Sequence, residues 1–325
     1  MEAMHRITRL PTLALLTTSA LLLGACSSAE STADNGEEAG INVITSTAIW
    51  GDVAEAVLNP GAVAVQAIVE GNGLDPHSFE PSAADMVRAR EADVVVVGGG
   101  GYDAWLYRSV DEEKIIHGLP LADHDHSHGS EDEEHSHEHG DDHGGHDHES
   151  AGFRGMDSNE HIWYDTATVS RMAEEIAAKV AELDPAAAGD AADFQAELSQ
   201  LQTRIEALPD LRVAQTEPTA DYLLLHSGAN EVTPADYRAT SLGHSEPSAA
   251  DLAAFLGLIE EGGLDLLIYN PQTATDLTSR IRRAAEEADI PVVEIFETPE
   301  AGEDYLDFFH AALDRLEAAA TEAEG

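Results

Sequence analysis

The chain of 325 residues holds a single cysteine, Cys26, so it can form neither an intramolecular disulfide nor a thiolate metal site. Basic residues are scarce as well: 16 Lys and Arg stand against 63 Asp and Glu, for a formal net charge of −47. Nucleic acid and anionic lipid are recognised through clusters of Lys and Arg, so both are excluded as charge partners. The same imbalance suits a cationic ligand, and it also keeps a protein soluble. The apolar run at 13–23 is too short for a spanning helix, which needs about 20 residues. The glycines at 98–101 lack both the G-x-G-x-x-G spacing and the Lys-Ser/Thr ending of a phosphate loop, which argues against nucleotide binding. H-E-x-x-H is absent, and with it the local signature of a zinc hydrolase.

What is present begins with Arg6 and Arg9 ahead of the short apolar run, the pattern of a signal peptide over 1–25. Leu22-Leu23-Gly24-Ala25-Cys26 resembles a bacterial lipoprotein cleavage box, which implies cleavage before Cys26 and lipid on its sulfur. The Ser, Glu, Ala and Gly that follow to residue 40 form a flexible tether. A lipid cluster on a tether holds a soluble body at a membrane surface without spanning it.

At 43% hydrophobic residues, the rest has the composition of a soluble globular protein and the length for two domains. Strands are expected at 41–45, 63–69 and 93–97, with helices at 50–58 and from Ser82 to about Glu91. This alternation predicts an α/β lobe with a mostly parallel sheet over 41–164. Asp165 can cap a helix to Leu183, whose apolar stripe is Val169, Met172, Ile176 and Val180. A second helix over 186–208, about 35 Å long, is a rigid strut between lobes, with Phe194, Leu198, Leu201 and Ile205 as its buried stripe. From 210 to 325 strands at 212–216, 264–269 and 292–296 alternate with helices at 248–260, 274–288 and 303–320, which predicts a second α/β lobe.

Two features carry chemistry. The stretch 123–149 mixes acids and glycine with His124, His126, His128, His135, His137, His139, His143, His146 and His148. It has almost no apolar residue and is expected to be disordered; imidazole suits zinc, copper and nickel, so it would offer several weak, mobile metal sites. The other is Asn159-Glu160-His161-Ile162-Trp163-Tyr164-Asp165, which places a histidine on an extended apolar segment before a long helix. His161 is expected to share one ion with His77 and with carboxylates of the second half. His77, Glu217 and Glu297 each follow a strand, and ligands of open α/β sheets gather beyond the carboxyl ends of strands.

The chain resembles the zinc/manganese solute-binding proteins that feed bacterial ABC importers, over essentially all of its mature length. Gly73-Leu74-Asp75-Pro76-His77-Ser78-Phe79-Glu80-Pro81-Ser82 is similar to that family's first-ligand loop, and the segment around His161 to its second. The acidic histidine-rich insert is the mark of the zinc members. In the second half Glu217 stands where the zinc members have a histidine, five residues before Tyr222, as in manganese-type members. Glu297 is the nearest match to the family's fourth ligand, an aspartate, with His226, His244 or water as alternatives.

The resemblance implies two Rossmann-like lobes joined by one long rigid helix, with the metal in the cleft between them. It implies a non-enzymatic, monomeric, extracytoplasmic receptor that is lipid-anchored to the cell membrane and delivers Zn2+ to an ABC importer membrane permease. Two imidazoles with one or two carboxylates make a reasonable zinc site, and zinc exceeds manganese at most N/O sites. The alternatives are a manganese receptor of the same family, to which Glu217 points, and an extracellular zinc buffer acting through the histidine tract.

Overall fold

The computed structural model describes residues 40–71, 79–122 and 153–323. The expected signal segment at 1–25, Cys26, the loop carrying His77 and the histidine tract at 123–149 lie outside the described residues.

Short β-branched runs form the strands. In chain order the first set is β1 (Ile41–Thr47), α1 (Ala48–Val57), β2 (Val63–Val69), α2 (Ala83–Glu91), β3 (Val94–Val97), α3 (Ala104–Tyr107) and β4 (Ile115–His117). β3 is four valines, all fully buried, as a strand covered on both faces requires. The strands pair in parallel in the order β2-β1-β3-β4. A 3₁₀ turn at Ile162–Tyr164 then leads into α4 (Thr166–Leu183) and α5 (Ala192–Glu206). The second set is β5 (Arg212–Gln215), α6 (Asp221–Leu225), β6 (Asn230–Glu231), α7 (Ala235–Leu242), α8 (Ala249–Glu260), β7 (Leu266–Tyr269), α9 (Asp276–Glu287), β8 (Val292–Glu294) and α10 (Tyr305–Ala323). Its strands are again parallel, in the order β6-β5-β7-β8. Both sheets share one topology, and in each the order reverses between two central strands, β1 and β3 or β5 and β7. The α/β class expected from the alternation is what forms.

The local signals act as their chemistry predicts. Ser82 and Asp85 form a reciprocal capping box at α2, and the Asp165 carboxylate accepts the Ala167 N–H at the start of α4. The expected stripes of α4 and α5 are buried. α5 nevertheless starts later than expected and has 15 residues, about 22 Å. The residues before it are held by the end of α1. The Asn59 amide donates to the Ala186 and Ala188 carbonyls at 2.6 and 2.9 Å, and the Gly189 N–H donates to Val57 at 2.9 Å. Backbone groups committed to that bracket cannot join a helical ladder. β4, β6, α3 and α6 are too short for periodicity to register in the sequence.

The glycine run has a different use from a phosphate cradle. The Gly98 and Gly99 N–H groups donate to the buried Asp103 carboxylate at 2.6 and 3.0 Å, and the Gly101 N–H donates to Glu160. Gly99 has a φ of +93°, and a Cβ there would lie 2.2 Å from the Leu119 carbonyl oxygen, so only glycine fits.

The start of α10 meets α1 where the Tyr305 N–H donates to the Asp52 carboxylate at 2.9 Å. Partial burial, reinforced by the nearby Asp304 carboxylate, pushes Asp52 up to about 7. Its unfolded value is about 3.9. Between those values the folded chain holds more protons than the unfolded one, so Asp52 favours the folded state at low pH. That contribution is lost as the pH rises through about 7. Asp52→Asn should therefore leave stability nearly unchanged at about pH 4 and raise it at about pH 8. The gain is about 1–2 kcal/mol, well below the full conversion of the shift because the group is partly hydrated. Thermal unfolding of both proteins at the two pH values checks this.

Candidate metal centre

His161 opens the 3₁₀ turn, with φ −81° and ψ 42°, and does not lie on the extended segment expected. Three consecutive apolar residues cannot all face one side of a strand, whose side chains alternate. The turn lets Ile162, Trp163 and Tyr164 all enter the core. The Tyr164 hydroxyl donates to the Phe296 carbonyl at 2.8 Å, and the Tyr305 hydroxyl donates to the Trp163 carbonyl at 2.6 Å. The turn that carries His161 is thereby tied to the end of β8 and to α10.

The orientation of the imidazole follows from Asn159. The His161 backbone N–H, which can only donate, bonds Asn159 Oδ1 at 2.9 Å. The amide nitrogen of Asn159 donates to the Pro218 carbonyl at 2.8 Å and to Asp221 Oδ2 at 2.6 Å. These partners fix the amide, so the oxygen that lies 2.8 Å from His161 Nδ1 is an acceptor and Nδ1 carries the proton. Nε2 is then left as a lone-pair donor, the tautomer a metal-binding imidazole needs. Asp221 is fully buried and bound by Arg238 through both oxygens, at 3.0 and 2.6 Å. Tyr222, next in the chain, donates its hydroxyl to the Asn159 carbonyl at 3.1 Å.

Two carboxylates face this imidazole. Glu217 lies just beyond β5 and turns Oε1 to 3.9 Å from His161 Nε2. Glu297, fully buried, lies just beyond β8. One amide holds both: Asn270, at the carboxyl end of β7, donates from Nδ2 to Glu217 Oε2 and to Glu297 Oε1, each at 2.6 Å. Thr273 also donates to Glu217 Oε2. Gln272 accepts the Glu297 N–H at 2.6 Å and so fixes the backbone beneath that side chain. One potential donor atom from each of His161, Glu217 and Glu297 lies within 4.8 Å of the others. Two carboxylates brought together away from water repel each other, and a divalent cation would offset both charges.

Three of the four residues expected to share an ion are thus adjacent; His77 lies outside the described residues. So do Cys26 and the nine histidines of the tract. His244 is exposed at the rim of a cavity of about 400 Å³ that Glu217 also lines, with Nε2 3.4 Å from Glu160 Oε2. His226 is exposed at the end of α6; neither belongs to the cluster. Sequence reasoning did not assign roles to Asn159, Asn270 or the Asp221–Arg238 pair. The available signals were an asparagine two residues before the histidine and another directly after a buried strand.

In metal-free protein at about pH 8, long-range 1H–15N spectra should find His161 protonated at Nδ1 only. Asn159→Ala should produce a mixture of both tautomers, since it removes the acceptor that selects one.

The model of the ZnuA family, zinc-uptake complex component A, periplasmic, matches residues 43–319. The manganese-binding lipoprotein MntA of Halalkalibacterium halodurans is 27% identical over 201 residues, which are 59% of this chain and 56% of that protein. The manganese ABC transporter substrate-binding lipoprotein PsaA of Streptococcus pneumoniae is 29% identical over 110 residues, 33% of this chain and 34% of that one. The chain therefore aligns with about half the length, or less, of these curated relatives. Among solved structures, a crystal structure of ZnuA has a TM-score of 0.57 at 21% identity, covering 87% of this chain and 98% of that one. The periplasmic zinc-binding protein TroA of Treponema pallidum has a TM-score of 0.61 at 16% identity, covering 86% and 99%. At such identities these structures speak for the fold. The family model, spanning both sheets and all three clustered residues, speaks for more: the chain belongs to the ZnuA family.

Proposed function

We propose that this chain is an extracytoplasmic receptor that captures one zinc ion and delivers it to the membrane permease of an ABC importer. His161, Glu217 and Glu297 hold the ion, and His77 completes the set. The observation that carries this reading is the convergence of one imidazole and two carboxylates within 4.8 Å, with the imidazole tautomer selected by Asn159. Two nitrogens and two carboxylate oxygens suit tetrahedral zinc, with Zn–N of about 2.0–2.1 Å and Zn–O of about 2.0–2.2 Å. At such N/O sites zinc exceeds manganese in affinity.

The remaining parts of the reading come from the sequence. Residues 1–25 direct export, and Cys26 carries lipid that holds a monomeric body at the membrane through its tether. The tract at 123–149 gathers zinc weakly beside the tight site. A manganese receptor is the second reading. It is favoured by the second carboxylate, which replaces an imidazole and raises the oxygen share of the site.

Native mass spectrometry with chelator competition, zinc and manganese offered together to metal-stripped protein lacking 123–149, tests both. One tightly held zinc is expected. Its affinity should fall at least roughly 100-fold in His161→Ala, at or beyond the upper end of what loss of an outer-shell partner produces. Preferential retention of manganese would establish the second reading. A protein that holds no tight ion would refute both.

A further inference from the structure

Asn270 stands at a particular point of the second sheet. It directly follows β7, beside the end of β5, where the strand order reverses, and it is 1% exposed. Its amide is fixed without ambiguity. The Gln272 backbone N–H donates to Oδ1 at 2.9 Å, so the two amide hydrogens are the ones directed at Glu217 Oε2 and Glu297 Oε1. A carboxylate oxygen has two lone pairs. Glu217 Oε2 receives Asn270 and Thr273 together, which commits both, while Oε1 turns toward His161. Glu297 is tied to the same amide through Oε1. For Glu217 to grip an ion through both oxygens, the buried Asn270 N–H or the Thr273 O–H would have to give up its acceptor.

We infer that Asn270, with Thr273, is a positioning residue that sets metal preference by holding Glu217 to one-oxygen coordination. The inference rests on the reading of His161, Glu217 and Glu297 as ligands. Zinc in closed protein sites takes four ligands in a tetrahedron, whereas manganese favours octahedral oxygen-rich coordination. A second carboxylate would by itself move the site toward manganese, because a carboxylate that binds through both oxygens raises the number of oxygen donors. The Asn270 amide opposes that move by keeping Glu217 to a single donor oxygen. Selectivity in this chain is then located one bond outside the ligands, in a residue that need not touch the ion.

The test uses the full chain as wild type, Asn270→Ala and Thr273→Val, with cobalt(II) as a spectroscopic probe below one equivalent, where the tightest site fills first. Zinc–manganese competition is measured in parallel. Wild type should give the intense visible absorption of four-coordinate cobalt. Asn270→Ala should give the weak absorption of five- or six-coordinate cobalt, and its zinc-over-manganese preference should fall roughly 10-fold. Thr273→Val should shift both readouts the same way by less. A four-coordinate spectrum and an unchanged preference in Asn270→Ala, with zinc still tightly held, would overturn this inference and leave the receptor reading intact. Failure of wild type to hold any tight ion would overturn the receptor reading itself, and this inference with it. If Asn270→Ala loses its cooperative unfolding transition, Thr273→Val decides by the same two readouts.

Discussion

Burial of one carboxylate organises the site. Asp221 has no exposed surface, and an ion removed from water must be paired and fully hydrogen-bonded. Arg238 supplies the charge through its two terminal guanidinium nitrogens, while Gln215 and Asn159 take further acceptor capacity at 2.7 and 2.6 Å. Each of those amides turns its nitrogen to Asp221 and its oxygen the other way. The Gln215 oxygen accepts the Ala220 N–H and shapes the turn that follows Glu217. The Asn159 oxygen accepts both the backbone and the ring N–H of His161. The direction of one potential ligand and the turn beside another both follow from compensating a charge that never reaches the ion.

The opposite wall repeats the device with the signs exchanged. Around Asp221, amide nitrogens serve a carboxylate so that amide oxygens can orient donors. At Asn270, an amide oxygen is pinned by backbone so that its nitrogen can hold two carboxylates. The switch point of the second sheet supplies the place: β5 and β7 end side by side, and the residues just after them, Glu217 and Asn270, meet there. The buried turn bearing His161 closes on this edge through Tyr164 and Tyr305, whose hydroxyls donate to the Phe296 and Trp163 carbonyls.

The sequence exposed the parts governed by local rules. The valine run of β3, the capping serine of α2 and the stripes of α4 and α5 are properties of neighbours along the chain, so they could be read before any fold was known. His161, Glu217 and Glu297 could be singled out from motif position and strand ends, and the structure brings all three together. The late start of α5 was not legible, because its cause is Asn59 on a distant helix end. The 3₁₀ turn at His161 was hidden for a similar reason: an apolar run of three fits a strand or a buried turn equally, and only the docking of Tyr164 and Trp163 decides. The roles of Asn159 and Asn270 depend on partners far away in the chain, and no periodicity or spacing encodes such a pairing.

The three clustered side chains come from segments far apart in the sequence, and two parallel sheets with their connecting helices must be in place before those segments meet. Parallel pairing and distant contacts form late, after a large loss of chain entropy. An ion offered to the unfinished chain meets only weak ligands, the histidine tract at 123–149 and scattered carboxylates. Loading therefore follows folding, and whatever the finished site binds acts as a lock on the completed structure, adding its binding free energy to the stability of that state alone.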